Sequence, residues 1–224
     1  MRRQLGYDGP MARKLTSDPT RLREEIAHAA ARLIAEEGLD FAGAKRKAAR
    51  QLLGESRLSG DWLPGNELIE EAVREYQSIF QSDSQPAILS ALRQVALHWM
   101  QRLAEFHPLL TGAVMNGTAS EHSDVQLQLF CDSTKDVAIF LLNEEIQYEV
   151  SESPHFGGRD DVETLSFLTR APAPVGRAGI HLALYDNTDM RGALRADERG
   201  RPLRINAAAL AELMAHSESP VHRP

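Results

Sequence analysis

The sequence predicts an α+β protein, an N-terminal helical region followed by a mixed sheet with flanking helices. Three observations carry that expectation. Apolar residues recur at helical spacing over residues 18–106, the period falls to two after His107-Pro108, and the second half then alternates short strand-like runs with one capped helix. The chain of 224 residues is long enough to bury a core without disulfides or metals. With 42% hydrophobic and 25% charged residues, 11 Pro and 15 Gly, its composition excludes disordered, fibrous and membrane classes.

The first helix places Leu22, Ile26, Ala29, Leu33 and Ile34 on one face; Asp18-Pro19 opens it and Gly38 ends it. A second helix is expected over 42–53. A third, over 67–81, is introduced by Asn66 and points Leu68, Ile69, Ala72, Val73, Tyr76, Ile79 and Phe80 inward. The fourth, over 86–106, is the longest and carries Ile88, Leu89, Leu92, Val95, Trp99, Leu103 and Phe106 on its buried stripe. That stripe exceeds what three short helices can bury, so the fourth helix should complete a bundle and also cover the sheet. His98 and Trp99 read as packing residues.

Strands are expected over 109–114, 125–131, 147–150, 163–169 and 179–185, with Gly- and Pro-rich loops at 153–161 and 171–176. In the second strand Val125, Leu127 and Leu129 alternate with Gln126, Gln128 and Phe130. Asp132-Ser133-Thr134 with Asp136 then caps a helix reaching Asn143. A last helix runs over 206–215. The domain reading is therefore a flexible tail over 1–17, a helical region over 18–106, an α+β domain over 107–216 and a second tail over 217–224. Met11-Ala12-Arg13-Lys14 would serve as a start as well as Met1 does.

The longest apolar run, Val137 to Leu142, falls far short of the roughly 20 residues that span a bilayer, and the first residues lead into no apolar stretch. Cys131 is the single cysteine, which excludes an internal disulfide and reads as a small buried hydrophobe. A cytoplasmic chain without a membrane partner is expected. The net charge of −7 is uneven: from Leu109 to Pro154 the only basic residue is Lys135, against eight acids. A surface tracking nucleic acid is disfavoured there, because phosphate contacts need Lys and Arg, whereas a cation-dependent site is not. Lys45, Arg46, Lys47 and Arg50 concentrate charge on the second helix, as a solvated face or as a contact for RNA or a phosphate-rich substrate. The eight histidines show no zinc spacing. Gly-x-x-x-x-Gly-Lys-Ser/Thr, Gly-x-Gly-x-x-Gly and Gly-x-Ser-x-Gly are all missing from the sequence, which leaves ATPase, dinucleotide-enzyme and α/β-hydrolase readings without their key residues.

The segment that carries chemistry is Leu110-Thr111-Gly112-Ala113-Val114-Met115-Asn116-Gly117-Thr118-Ala119-Ser120-Glu121-His122-Ser123-Asp124-Val125-Gln126-Leu127. Gly112 stands at the end of one strand and Asp124 at the start of the next, twelve residues on. Such residues also suit an ordinary hairpin corner, with Asp124 capping a turn. The segment resembles the signature of the DNA polymerase beta-type nucleotidyltransferase superfamily, in particular its small bacterial members. There a strand ends in Gly-Ser, a second Gly follows in the turn, and the next strand opens with Ser-Asp-aliphatic-Asp. Gly112, Gly117, Ser123 and Asp124 fall in register, and the resemblance covers residues 92–185, the long helix included.

That resemblance implies a nucleoside triphosphate as ligand and Mg²⁺ or Mn²⁺ as cofactor. Gly112, Ala113, Gly117, Thr118 and Ser123 would stand at the nucleotide, where a missing Cβ lets phosphates approach backbone amides. Asp124 and residue 126 would hold the metal ions, with a third carboxylate from a neighbouring strand. Three positions depart from the pattern. Ala113 replaces the Ser that contacts phosphate, Gln126 replaces the second Asp, and the strand over 179–185 carries His181 where an acid is expected, with Asp186 only at its end. The leading expectation is thus a degenerate metal site, binding a nucleotide without turnover or serving as an interaction module with a protein partner or a second copy. The alternatives are an active enzyme moving a nucleoside monophosphate to a hydroxyl or protein acceptor, with Asp186, Asp132 or Glu163 recruited beside Asp124, and a helical adaptor working through residues 18–106.

Overall fold

The computed structural model describes residues 18–54, 62–197 and 199–218, with the side chain of Glu218 left aside. The expected tail over 1–17 lies outside the described residues. Helix α1 (Pro19–Glu37) begins as the sequence asks: the Asp18 carboxylate accepts the Thr20 N–H, Pro19 occupies the first turn, and Gly38 at φ +68 returns its N–H to the carbonyls of Ile34 and Leu33. Helix α2 (Phe41–Leu53) is capped by Asp40, which accepts the Gly43 N–H at 2.9 Å. Helix α3 (Asn66–Phe80) starts after Gly65, and Asn66 is its first residue rather than its cap; the Asn66 side chain accepts from Lys45 instead.

These three helices share one core of Leu22, Ile26, Ala30, Leu33, Ala44, Ala48, Ile69 and Val73. Its alanines let the helix axes approach closely. Helix α4 (Gln85–Arg102), followed by a 3₁₀ turn (Ala104–Phe106), packs elsewhere: Leu92, Val95, Trp99, Leu103 and Phe106 belong to the core of the sheet. The core therefore divides after α3, not at His107-Pro108. The change of sequence period marks where strands begin, which is a different boundary from where packing changes. Ile79 and Phe80, expected inward, are 61% and 67% exposed, because the C-terminal turn of α3 overhangs a three-helix core that ends at Val73. His98 is exposed on α4, while Trp99 is buried as expected.

The sheet holds β1 (Leu109–Thr111), β2 (Val125–Cys131), β3 (Glu149–Ser153), β4 (Val162–Arg170) and β5 (Arg177–Asp186) in the order β1-β2-β5-β4-β3. β2 and β5 run parallel, and every other pair is antiparallel. β1 stops at Thr111, three residues short of expectation, because Gly112 at φ +74 turns the chain into the short helix α5 (Gly112–Asn116). Helix α6 (Thr134–Asn143) follows β2; Ser133 is its cap residue but its side chain makes no capping bond. After β5 come a 3₁₀ turn (Asn187–Asp189), α7 (Met190–Ala193) and α8 (Ala207–Glu218), which reaches into the stretch expected as a tail.

Alternation decides the two faces of the sheet. Val125, Leu127, Leu129, Leu165, Phe167, Ile180, Leu182 and Leu184 point to the side filled by α4 and by Val137 and Leu141 of α6. Gln126, Gln128, Thr164, Ser166, His181 and Ala183 point the other way. Phe130, which shares that second face, is buried all the same, since Leu109, Tyr185, Ala193 and Phe156 form a small cluster over its end of the sheet. Cys131 is buried as expected. Among the described residues no helix is long and apolar enough to cross a membrane.

Candidate functional site

The open end of the second face is the start of β2 and β5. Parallel pairing sets Gln126 beside His181, and the antiparallel β4–β5 pair sets Ser166 opposite His181. Asp124 lies just before β2, on the same side as Gln126. Its Oδ1 accepts the Gly179 N–H at 3.0 Å and its Oδ2 meets His181 Nε2, also at 3.0 Å. His181 Nδ1 is 2.8 Å from the Ser166 hydroxyl. A carboxylate only accepts, so Nε2 carries a proton; in the neutral ring Nδ1 is then the acceptor and Ser166 donates. The hydrogen bond from His181 holds the Asp124 carboxyl below the usual carboxylate range, helped by Gly179 and opposed by burial. Gly179 is required here because a Cβ would sit 2.6 Å from the Asp124 carboxyl carbon.

A cleft of about 250 Å³ opens over this group, bounded by Gly112, Ala113, Ser123, Asp124, Gln126 and His181 on one wall and by Gly38, Leu39, Asp40 and Phe41 of the α1–α2 corner on the other. A polar trough of about 440 Å³ continues from it along the open sheet face and shares Asp40, Gln126 and His181. Among the described residues neither lining contains Lys or Arg. The corner is held against the wall at Gly38, where a Cβ would come within 2.5 Å of His122 Cβ.

The structure gathers Gly112, Ala113, Ser123, Asp124 and Gln126, and it separates two expected nucleotide contacts from them. Gly117, at φ +89, ends α5 and its carbonyl accepts from Gln85. Thr118 is 1% exposed, bonds through its hydroxyl to Asn116 at 2.7 Å, and gives its carbonyl to Gln77. Arg93 takes the carbonyls of Val114 and Met115 in the same manner. This loop is therefore clamped by α3 and α4 through its carbonyls, and Gly117 and Thr118 face those helices instead of the cleft.

The acids expected to assist Asp124 are also displaced. Asp186 pairs with Cys131 at the opposite end of the parallel ladder, seven positions from Gly179, or about 23 Å along the strand. It accepts the Thr188 N–H, and Asp132 accepts from Asn187 beside it. Glu163 pairs with Glu152, near that far end. The metal role expected of Asp186 is corrected accordingly: the register of β2 and β5 keeps it from sharing an ion with Asp124. Among the described residues no group of three His, Cys, Asp or Glu is gathered to hold a metal ion. Two dications need several anionic oxygens on one side of the site; here Asp124 stands beside the neutral amide of Gln126 and the ring of His181, and Asp40 lies on the opposite wall as the cap of α2, so the donor set does not fit the metal pair the resemblance implies.

Sequence reasoning missed Ser166, His181 as the partner of Asp124, and Asp40. No local signal marks them, since their proximity arises from the pairing of β4 with β5 and from the fold of the α1–α2 corner. No family model, curated protein or solved structure matches this chain.

Proposed function

We propose that this chain is a nucleotidyltransferase-fold protein in which an internal hydrogen-bonded group replaces the metal centre, and that it works as a ligand-binding or interaction module without nucleotidyl transfer. The observation that carries this reading is the state of Asp124, whose two carboxylate oxygens are taken by Gly179 and His181. Each oxygen keeps a second lone pair, but the neighbour that meets this carboxylate is a histidine, where a metal pair would need further acids. Gln126 adds an oxygen but no charge, and Ala113 offers no hydroxyl to a phosphate.

The arrangement supports the fold part of the proposal. A long helix leads into a short strand ending at Thr111, just before Gly112, the chain returns antiparallel from Asp124, and a neighbouring strand brings position 181 beside position 126. The cleft chemistry supports the absence of transfer. A triphosphate entering without metal would face Asp40 and Asp124 with no Lys or Arg among the described lining residues, which repels it. A nucleoside, another uncharged ring or a cationic group of a partner fits that lining better. An active enzyme using Asp186, Asp132 or Glu163 loses its support with the positions of those acids.

The test is calorimetry and thermal shift of the full chain with each of the four nucleoside triphosphates, with and without Mg²⁺ or Mn²⁺, alongside an assay for released pyrophosphate. No metal-dependent stabilisation and no pyrophosphate are expected. Turnover that needs a divalent ion and disappears in Asp124→Asn would overturn the proposal.

A further inference from the structure

The hydrogen-bonded chain that occupies Asp124 has a free chemical end. We propose that Ser166, activated by His181 and Asp124, is a nucleophile toward activated carboxylic esters, on the open sheet face beside the cleft. Three neighbouring strands supply the three groups, so the ladder itself fixes their spacing: Ser166 opposes His181 on β4 and β5, and Asp124 adjoins the start of β2. The distances are 2.8 Å from Ser166 Oγ to Nδ1 and 3.0 Å from Nε2 to Asp124 Oδ2. The polarity matches a serine nucleophile with its base and orienting acid: hydroxyl to ring nitrogen, ring N–H to carboxylate, and the carboxylate steadied by a backbone N–H, here that of Gly179. Ser166 is half-buried rather than sealed, and His181 borders both the cleft and the trough.

The step balances within these groups and water. Ser166 Oγ bonds to the acyl carbon while its proton passes to His181 Nδ1; the carbon–oxygen bond of the ester breaks, and the leaving alkoxide or phenolate departs with that proton. Water then attacks the acyl-serine, His181 receives its proton, and that proton returns to Ser166 Oγ as the carboxylic acid leaves. Ser166 and His181 are the catalytic residues, and Asp124 is a positioning residue. Asp40 and Asp124 beside the ring, Glu149 opposite Ser166 on β3 and the lack of Lys or Arg among the described lining residues favour uncharged or cationic esters over anionic ones. This inference concerns a reaction separate from nucleotide binding, and an acyl or phosphonyl adduct reads it whatever the nucleotide titration gives.

The experiment treats the full chain with an alkyl fluorophosphonate and, separately, with 4-nitrophenyl acetate, followed by intact mass and peptide mapping. An adduct on Ser166 is expected, absent in Ser166→Ala and formed at least about 100-fold more slowly in His181→Gln. Asp124→Asn should keep the modifiable hydroxyl, slow its labelling and remove the low-field proton resonance of the imidazole N–H bonded to the carboxylate. Circular dichroism confirms the fold of each variant. Where His181→Gln fails to fold, Ser166→Cys replaces it, and its thiol should be alkylated by iodoacetamide well ahead of buried Cys131. No adduct on Ser166 in the wild type, equal modification of Ser151 and Ser153, or a rate unchanged by His181→Gln would overturn the proposal; with Ser166→Cys in place of that variant, alkylation no faster than at Cys131 would do the same.

Discussion

Where β2 and β5 begin, Asp124 leans across to Gly179 and His181; where they end, Asp132 and Asp186 turn into the chain that follows. Both Asp124 and Asp186 sit below the usual carboxylate range, the first mainly because the His181 ring donates to it, the second mainly because the Thr188 backbone N–H does. A lowered carboxyl therefore does not distinguish the two ends. The donor does. A backbone N–H closes a turn and the interaction stops there, whereas the imidazole, which lines the cleft, extends the hydrogen-bonded chain to half-buried Ser166. Cover differs as well: Phe130, Tyr185 and Phe156 pack over the far end, and the near end is open.

The largest expected effect comes from adding charge to the near end. Gln126→Asp would place two carboxylates on one face of β2, each raising the cost of ionising the other until a cation intervenes. Mg²⁺ or Mn²⁺ binding should then strengthen by about 1–3 kcal/mol, the scale of a charge-assisted contact, read by calorimetry against the wild type. Restored transfer is not expected, because Ala113 still lacks a hydroxyl and His181 still stands in place of an acid. Unchanged affinity would mean that Asp124 does not leave His181 even for a dication.

A smaller effect tests the hydrogen bonds themselves. In Gly179→Ala the new Cβ would lie 2.6 Å from Asp124 Cγ and Oδ1, so Asp124 must swing away and lose both partners. The expected loss is about 1–2 kcal/mol at neutral pH, kept low because the site is half open to solvent. Its sign with pH follows from the direction of the shift. A carboxyl whose folded value lies below its unfolded one stabilises above the unfolded value, and that contribution disappears as pH falls through the folded value. The gap between wild-type and variant melting temperatures should therefore narrow below about pH 4. A gap that stays constant from neutral to acid pH would show that crowding, not the lost carboxylate bonds, causes it.

The local signals in the sequence served well wherever structure is decided locally. Asp18-Pro19 and Gly38 bound α1 where capping chemistry places them, and the alternation of Val125, Leu127 and Leu129 identifies β2. What was illegible depends on pairing across distance. Nothing near Ser166 announces His181, because the antiparallel register of β4 on β5 creates the contact. Asp186 has the right residue type for a metal ligand but the wrong end of a parallel ladder, which alternation alone does not reveal. Gly117 and Thr118 look like phosphate contacts until Gln85 and Gln77 reach their carbonyls from α4 and α3. The apolar stripe of α4 was legible and its cover of the sheet with it, but the expected share in the helical bundle is not made: its buried residues belong to the core of the sheet, not to that of α1–α3.

The smallest effect is expected from Asp186→Asn. Asn keeps an oxygen in place of Oδ1, so the bond from the Thr188 N–H at 2.8 Å survives, and only the charge is lost. That charge faces solvent at the head of a 3₁₀ turn, where water screens it. About 23 Å of strand separates it from Gly179, more than twice the screening length in ordinary buffer, so its loss should leave the near end undisturbed. Asp186→Asn should melt only slightly below the wild type at neutral pH, since its carboxyl is lowered but exposed, and should label at Ser166 at the wild-type rate, while Asp124→Asn changes the response of Ser166 to acylating reagents. If Asp186→Asn slowed the labelling of Ser166 as strongly as Asp124→Asn, the two ends would be coupled through β5, and the division between a turn-forming end and a ligand-facing end would fail.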